Sequence, residues 1–426
     1  MITTILGAFR VGEIRTKILF TAGILLLYRL GTHIPAPGIN TAAVAQIQKQ
    51  LGGNSILGLL NLFSGGGLGR IAIFALGIMP YITASIILQL LQVVVPSLEK
   101  LSKEGEVGQA RITQYTRYLT VGLAFAQSIG YVFLFRSFEK QASATLIANF
   151  TLLKVFLIVI SLTAGTVLLM WMGELITQRG IGNGISLIIF ASIVSRIPSG
   201  INSWWNNPDQ VFRVIMPFIA IGVVAAIVFV QEGQRRIPIQ YAKRVIGRRM
   251  TQGGQTYLPL KVNMAGVIPV IFAASVMAIP PTVGQLIGQN RNNFGTHLAN
   301  FFSPQGWHYV AGESLLIILF TYFYTAVTFN PVDQADNLKK YGGFIPGVRP
   351  GRPTAEFLDR ILARLTFPGA LFLAAIAALP TVLINQTSAN FFFGGTSILI
   401  VIGVALDTMK QLEAQLMMRN YEGFLK

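Results

Sequence analysis

The residue types that usually carry chemistry are scarce in this sequence. It holds no cysteine and only three histidines, His33, His297 and His308. Disulfides and thiolate metal sites are therefore excluded. The histidines fall in loops or near the ends of apolar runs, where an interfacial role is ordinary and metal binding has no supporting ligand spacing. What recurs instead is isoleucine. Gly77-Ile-Met-Pro-Tyr-Ile-Thr-Ala84 matches Gly266-Val-Ile-Pro-Val-Ile-Phe-Ala273 as G-x-x-P-x-I-x-A, offset by 189 residues. Gly184-Ile-Ser-Leu-Ile-Ile189 echoes Gly395-Thr-Ser-Ile-Leu-Ile400 as G-x-S-x-x-I. The matches make Ile82 equivalent to Ile271, and Ile189 to Ile400. Ile78 and Ile82 are four residues apart, as are Ile185 and Ile189, so each pair shares a helix face. Branched aliphatic side chains converging on one point would form a dewetted constriction, which excludes ions without a charged gate. Ordinary helix-packing core is the alternative for any one of them; selection by the repeat favours the collar for the set.

The elements that carry these residues are apolar runs. Hydrophobic residues make up 53% of the 426 residues and charged residues 12%, about half the charge of a soluble domain. That composition cannot clothe a water-facing surface, and it points to a multi-spanning membrane protein. Ten runs stand out, at 18–34, 71–96, 119–135, 155–172, 185–194, 214–230, 264–287, 315–326, 367–384 and 397–406. Several reach the roughly 20 residues needed to cross the hydrocarbon as a helix. Residues 1–17 are mixed polar and apolar with no small-residue cleavage pattern, so no cleaved signal is expected there. Placing the N-terminus and every second loop in the cytoplasm assigns 24 of the 33 Lys and Arg to that side, as the positive-inside rule demands. An even number of spans then puts both termini in the cytoplasm.

The repeated segments fall on the second and fifth spans of each half. Five spans per half is odd, so residues 1–204 and 205–426 form two halves of inverted topology, with the functional site expected near the pseudo-twofold axis at the bilayer midplane. The short segment 55–66 precedes the second span and is too brief to cross. It reads as one amphipathic helix ended by Gly65-Gly66-Gly67, a hinge or tight turn, and either lies on the membrane surface or re-enters. Residues 71–96, 181–194 and 264–289 contain no Asp, Glu, Lys, Arg or His. An ion-coupled carrier usually keeps such groups inside the bilayer, so a carrier is left with backbone carbonyls alone. An intramembrane enzyme would need a polar catalytic pair facing inward, and none is evident. Two long basic loops remain, 234–263 and 331–364. The first carries Arg235, Arg236, Lys243, Arg244, Arg248 and Arg249, and the second Arg349 and Arg352. Turn chemistry such as Pro346-Gly-Val-Arg-Pro-Gly351 suggests ordered projections, suited to an acidic protein surface or ribosomal RNA.

Phe74-Ala-Leu-Gly-Ile-Met-Pro-Tyr-Ile82, Glu104-Gly-Glu106, Gly180-Ile-Gly-Asn-Gly-Ile-Ser186, Tyr241-Ala-Lys-Arg244, Leu258-Pro-Leu-Lys-Val-Asn-Met-Ala-Gly-Val-Ile-Pro269 and Gly347-Val-Arg-Pro-Gly351 together resemble the SecY family, the channel subunits of the bacterial Sec translocon. The resemblance runs from about residue 11 to 425. It implies an all-α polytopic membrane protein with ten transmembrane helices in two inverted five-helix halves around a central pore, plus a short re-entrant plug helix. It implies a protein-conducting channel rather than an enzyme, with no cofactor or metal, in the bacterial plasma membrane; a thylakoid membrane stays open as an alternative.

Carried over by position, the pore ring resembles Ile78, Ile82, Ile185, Ile189, Ile271 and Ile400. The plug is similar to Ser55, Ile56, Leu57, Leu59, Leu60, Asn61, Leu62, Phe63 and Ser64. The resemblance puts a lateral gate between spans two, three, seven and eight, with Thr83, Ser85, Gln127 and Asn263 as gate contacts; ordinary interhelical hydrogen bonding is the alternative for these four. It also makes the basic loops a platform for the ribosome or the SecA motor ATPase, with Arg349 the foremost residue. Implied partners are SecE and SecG, signal sequences, nascent or unfolded polypeptides, and lipid. Arg352 departs from the family pattern, where an acid often follows the Pro-Gly, and makes this loop more basic.

Overall fold

The computed structural model describes residues 9, 11–41, 43–44, 61, 63–142, 146–147, 150–206, 210–241, 244–246, 249–251, 254–287, 295, 297, 301–302, 306–387 and 395–424. Helices dominate: α1 (Gly12–Gly31), α2 (Met79–Val94), α3 (Pro96–Lys103), α4 (Glu106–Ala142), α5 (Leu152–Arg179), α6 (Gly184–Val194) and α7 (Ile197–Trp205) precede α8 (Gln210–Glu232). After a strand-bearing segment come α9 (Ile268–Ile287), α10 (Trp307–Thr328), α11 (Pro331–Lys340), α12 (Arg352–Thr387) and α13 (Gly395–Phe424). Among the described residues, seven helical stretches are long and apolar enough to cross a membrane, α6 and α7 contributing one of them together over Gly184–Asn202. Three further helices complete the ten expected spans. Helix α1 is long enough but carries Glu13, Arg15 and Lys17 at one end and Arg29 at the other. Helix α2 has 16 residues and turns by 100° into α3 at Val95–Pro96, where proline removes the ladder donor. The apolar part of α9 covers only Ile268–Pro280.

Both short helices start in the same way. Gly77 (φ 60°) precedes α2 and Gly266 (φ 63°) precedes α9, each in the left-handed region, and each helix places proline (Pro80, Pro269) in its first turn. Glycine enters that region without the Cβ penalty, and proline suits a first turn whose N–H has no intrahelical partner. The G-x-x-P motif thus encodes a backbone turn, which is why it survives in both halves.

The missing length of α2 is taken up by irregular chain at 64–78. Irregular backbone at membrane depth is tolerated only when buried in protein with its polar groups paired. Here Ser64, Leu68, Ile71, Ala72 and Phe74 are buried. The amides of Ile73 and Ala36 donate to Ile34 O (3.0 Å) and Ile71 O (2.9 Å), and that of Ala72 to Gly67 O (2.8 Å). The triple glycine is a tight reversal: Gly65 and Gly66 have φ of 63° and 88°, and a Cβ on Gly67 would lie 3.0 Å from Phe74 O.

The two basic loops meet in one small sheet, which the all-α expectation did not include. Strands β1 (Gln234–Tyr241), β2 (Arg244–Ile246), β3 (Arg249–Thr251), β4 (Gln255–Lys261) and β5 (Gly343–Phe344) form a three-stranded antiparallel sheet β4-β1-β5 and a separate β2–β3 pair. Ile237 lies opposite Leu258, and Gln240 opposite Phe344. Pro238 is tolerated in the middle strand because β5 covers only Gln240 and Tyr241, leaving Pro238 paired on one side. Ile237, Leu260, Phe329, Ile345 and Leu358 form the apolar base that seats this sheet on α10 and α12.

Substitution of Gly77 by Ala should cost about 1–2 kcal/mol from the left-handed backbone alone, and more because the new Cβ would lie 3.1 Å from Ser64 Cα. At Gly66, with no atom within 4 Å of the built Cβ, only the backbone term applies. The thermal unfolding midpoint in detergent should therefore fall further for Gly77→Ala than for Gly66→Ala.

Candidate channel constriction and lateral seam

Isoleucines from four helices meet in one apolar cluster. Ile78 is the N-cap of α2 and Ile82 lies one turn in; Ile185 and Ile189 sit in the first two turns of α6. Ile271 lies in the first turn of α9 and Ile400 in the second turn of α13. Ile78, Ile82, Ile189, Ile271 and Ile400 are each 4% exposed or less, and Ile185 packs against the same cluster half-buried. All six positions expected of a collar thus belong to one apolar cluster, which also holds Met79, Ile188, Val270 and Leu399. Helix α6 is started by Asn183, whose Oδ1 accepts from the amides of Ile185 (3.1 Å) and Ser186 (3.3 Å), the ordinary way of satisfying a helix's first donors.

On one side of the cluster lies the end of the short pre-span segment. Ser55, Ile56, Leu57, Leu59, Leu60 and Leu62 are outside the described residues. Asn61, Phe63 and Ser64 are buried, and Phe63 belongs to the same cluster as the isoleucines. This end of the segment is therefore packed inside the protein. It is tied in place by polar bonds: Asn61 Oδ1 accepts from the Gly69 amide (2.9 Å) and Ser64 Oγ from that of Leu68 (3.0 Å). Arg29 Nη1 donates to Gly65 O (2.8 Å) and to Ser195 Oγ (3.2 Å). Tyr28 and Ser192 share a buried hydroxyl–hydroxyl hydrogen bond beside Gly65.

A seam opens beside the cluster, between α2, α4 and α9. A cavity of about 230 Å³ there is lined by Met79, Thr83, Gln127, Tyr131, Ser275 and Ile279, with others. Thr83 and Gln127, two of the four expected gate contacts, both line it. The Thr83 hydroxyl turns back to Met79 O (3.0 Å), and Ser85 accepts from Gln89 Nε2 (3.3 Å) along α2. Asn263 lies elsewhere, in a second cavity between α8, α10, α13 and the start of α9. The contact that bridges the seam went unseen in the sequence: Ser275 Oγ approaches Met79 Sδ at 3.8 Å. Two further groups were missed. Arg117 of α4 grips Glu174 of α5 through Nε (2.9 Å) and Nη2 (2.6 Å), the bidentate geometry in which arginine binds carboxylate most specifically. Glu313 is a carboxylate on the buried face of α10, 8% exposed, in a stretch just before the apolar run at 315–326.

On the basic face, Arg235 and Arg236 are exposed on β1 and Arg349 is exposed in the turn between Gly347 (φ 82°) and Gly351 (φ 104°). Thr354 donates to Arg349 O (2.8 Å), fixing that turn to the start of α12. Arg244 and Arg249 fall on β2 and β3, opposite Thr251 and Ile246 respectively. Lys243 and Arg248 lie outside the described residues. Arg352 pairs with Glu356 one turn on (3.2 Å), so part of its additional charge is answered locally. Among the described residues, Arg235, Arg236 and Arg349 make no ion pair.

A ten-span helical bundle whose short helices start at a buried apolar cluster, with irregular chain packed on one side and a cavity on another, is the architecture of a polytopic membrane protein. The family comparison narrows this further: the SecY family model matches residues 72–409, and the chain belongs to the SecY family. "Protein translocase subunit SecY" of Streptomyces galbus is 51% identical over the full length of both chains. A solved structure described as "The structure of a protein conducting channel" aligns with TM-score 0.65 at 21% identity, covering 93% of this chain and 91% of that one. "Sec61 in the Canine ribosome-channel complex from the endoplasmic reticulum" aligns with TM-score 0.62 at 20% identity, with the same coverage. At such identities the structural matches establish the shared fold, in which the ten helices form two halves.

Replacing Ile82 or Ile271 with Asn places an amide in the apolar cluster, where an unmet polar group costs about 1–3 kcal/mol and recruits water. Resting ion conductance of the complex in planar bilayers should rise for either variant. Conductance equal to wild type would show that the cluster is packing and no seal.

Proposed function

We propose that this chain is the pore-forming subunit of a protein-conducting channel, a passive conduit for unfolded preproteins across the membrane and for hydrophobic segments sideways into lipid. The carrying observation is the convergence of Ile78, Ile82, Ile185, Ile189, Ile271 and Ile400 in one cluster from four helices. Those helices begin at or beside the stretches that lack ionisable carboxylates and bases. An aliphatic collar dewets when empty and closes around an extended chain of any sequence, because it offers no group that demands a particular partner. The segment 55–66 acts as the plug, and its described end, against the cluster, is consistent with that role. The seam lined by Thr83 and Gln127 acts as the lateral gate. Segments leave through it because lipid favours them by roughly 0.3–0.6 kcal/mol for each central Leu, Ile, Phe or Val.

The chain supplies no bond-making chemistry; force comes from a motor ATPase of the SecA type or from a translating ribosome, docked on the exposed arginines of the basic face. SecE and SecG are the accompanying subunits. The halves divide at residues 204 and 205. The distribution of Lys and Arg supports an orientation with the basic face and both termini in the cytoplasm of a bacterial cell.

Crosslinking tests the conduit directly. A photoreactive residue at Ile82 or Ile271 should form adducts with a stalled nascent chain, and with no small solute; absence of polypeptide adducts at both sites would refute the conduit. Reversing Arg349 to Glu should weaken binding of the motor ATPase or ribosome by about tenfold, within the range of a charge-assisted contact, while membrane insertion of the chain is unchanged. Equal affinity for wild type and Arg349→Glu in a flotation assay would remove that turn from the docking surface.

A further inference from the structure

Glu313 is an ionisable side chain to which the conduit gives no task. It sits on the face of α10 that also buries Tyr309, Val310, Ile317, Phe320 and Thr321, and it is 8% exposed. Helix α10 begins at Trp307, exposed as interfacial tryptophans are, and runs from there toward α11 and the basic sheet. At roughly 1.5 Å per residue, Glu313 lies about 9 Å inside the end away from the basic face. A carboxyl group inside a membrane span is rare, and it marks a proton or ion path or a partner of opposite charge.

Among the described residues no opposite charge faces it. Helix α10 packs on α9 and α12. Helix α9 has no Asp, Glu, Lys, Arg, His or Tyr along its whole length. Helix α12 carries Arg352, Glu356, Asp359, Arg360 and Arg364 near its start at the basic face, and no charged residue from 365 to 387. On α10 itself Tyr309 lies one turn before Glu313 on the same buried face, Tyr322 and Tyr324 lie toward the other end, and His308 stacks on Phe301. In the connection from α9 to α10, His297 is exposed and Arg291 is outside the described residues. None of the described ion pairs includes Glu313. What the neighbouring backbone offers is acceptors. Pro280 and Pro281 of α9 have no N–H, so the carbonyls of Val276 and Met277 lose their ladder donors. That part of α9 lies against the turn of Glu313, since a Cβ built on Gly312 would be 3.2 Å from Met277 Cε. A carboxylate can only accept a hydrogen bond, whereas a carboxylic acid has one O–H to donate.

We propose that Glu313 is a proton-binding site that keeps α9 seated in the closed channel, filled from the side away from the basic face. The proposal rests on the reading of the isoleucine cluster as a seal. Helix α9 brings Ile271 to that cluster and Ser275 to the seam. While the proton is bound, no charge stands behind α9 and its interface with α10 stays dry. Transfer of the proton to water on the far side leaves a carboxylate, which demands hydration. Helix α9 then parts from α10 to admit water, and Ile271 moves with it. The seal is thereby tightest when the far side is acid, the condition that drives protons inward most strongly through any leak.

The test uses the complete complex in a planar bilayer, with the pH of the two chambers set independently. Its orientation is read from the chamber in which protease cuts the basic loops. Resting conductance should rise as the far-side pH goes from about 5 to about 9, the range over which exposed and buried carboxyl groups titrate. The slope should be at most about tenfold per pH unit, the limit for one proton. The same change on the basic-face side should leave conductance unmoved. Glu313→Gln, near-isosteric and neutral at every pH, should hold conductance at the low-pH level of the wild type throughout. Glu313→Met should do the same, and it decides if Glu313→Gln fails to accumulate. A wild-type conductance independent of far-side pH, or a pH slope that survives in the variants, overturns the proton site; the seal then stands if Ile82→Asn still raises conductance. If Ile82→Asn has no effect either, the seal falls and the proton site with it.

Discussion

Hydrocarbon provides no hydrogen-bond partner, so every backbone N–H and C=O at membrane depth must be met by the protein. Most of this chain meets that demand with uninterrupted helix. Among the described residues an exception is 64–78, where turns replace helix, the amides of Ile73 and Ala72 find carbonyls outside any helix, and the Ile71 carbonyl accepts from Ala36. Burial of that irregular stretch lets α2 begin deep inside the bundle. With α9 doing the same after Gly266, two helices present first turns, rather than middles, to the molecule's centre. First turns leave room for Ile78, Ile82 and Ile271 to meet Ile189 and Ile400. The apolar centre is thus a product of where helices start.

The same geometry explains what sequence could disclose. The G-x-x-P-x-I-x-A repeat was legible because a left-handed glycine followed by a first-turn proline is a local requirement, written in adjacent residues. The isoleucines attached to it were legible for the same reason. The basic sheet was not. Strand β1 carries Pro238 and two arginines, has no clean alternation, and pairs β5 about a hundred residues later (Gln240↔Phe344), so nothing local announces it. Asn263 stood in a recognisable motif, yet the motif could not say which cavity its side chain would line. Thr83 and Gln127 line one cavity, but the contact beside them, between Ser275 and the sulfur of Met79, comes from packing between distant segments.

Polar groups inside the bundle follow one pattern. Several Thr hydroxyls return to the carbonyl four residues earlier, as Thr116, Thr120, Thr321 and Thr325 do, and so demand nothing from a neighbouring helix. Ties between helices are fewer and more specific: Tyr28 with Ser192, Arg117 with Glu174, Arg29 with the Gly65 carbonyl. Each of these joins elements within residues 1–204. The contact across the seam is a long hydroxyl–thioether approach, much weaker than those ties, so the seam is the softer boundary.

The three-stranded sheet adds a mechanical property. A strand is stiff along its length, and β4 stops at Lys261 only six residues before α9 starts at Ile268. Much of that short connection is pinned, with Asn263, Ala265 and Val267 buried. Because β1 is hydrogen-bonded to both β4 and β5, a load applied at either basic projection is shared by both. The connection has little slack in which to dissipate it. A load borne by the sheet would therefore reach the base of the helix carrying Ile271 as displacement rather than being lost in a slack linker.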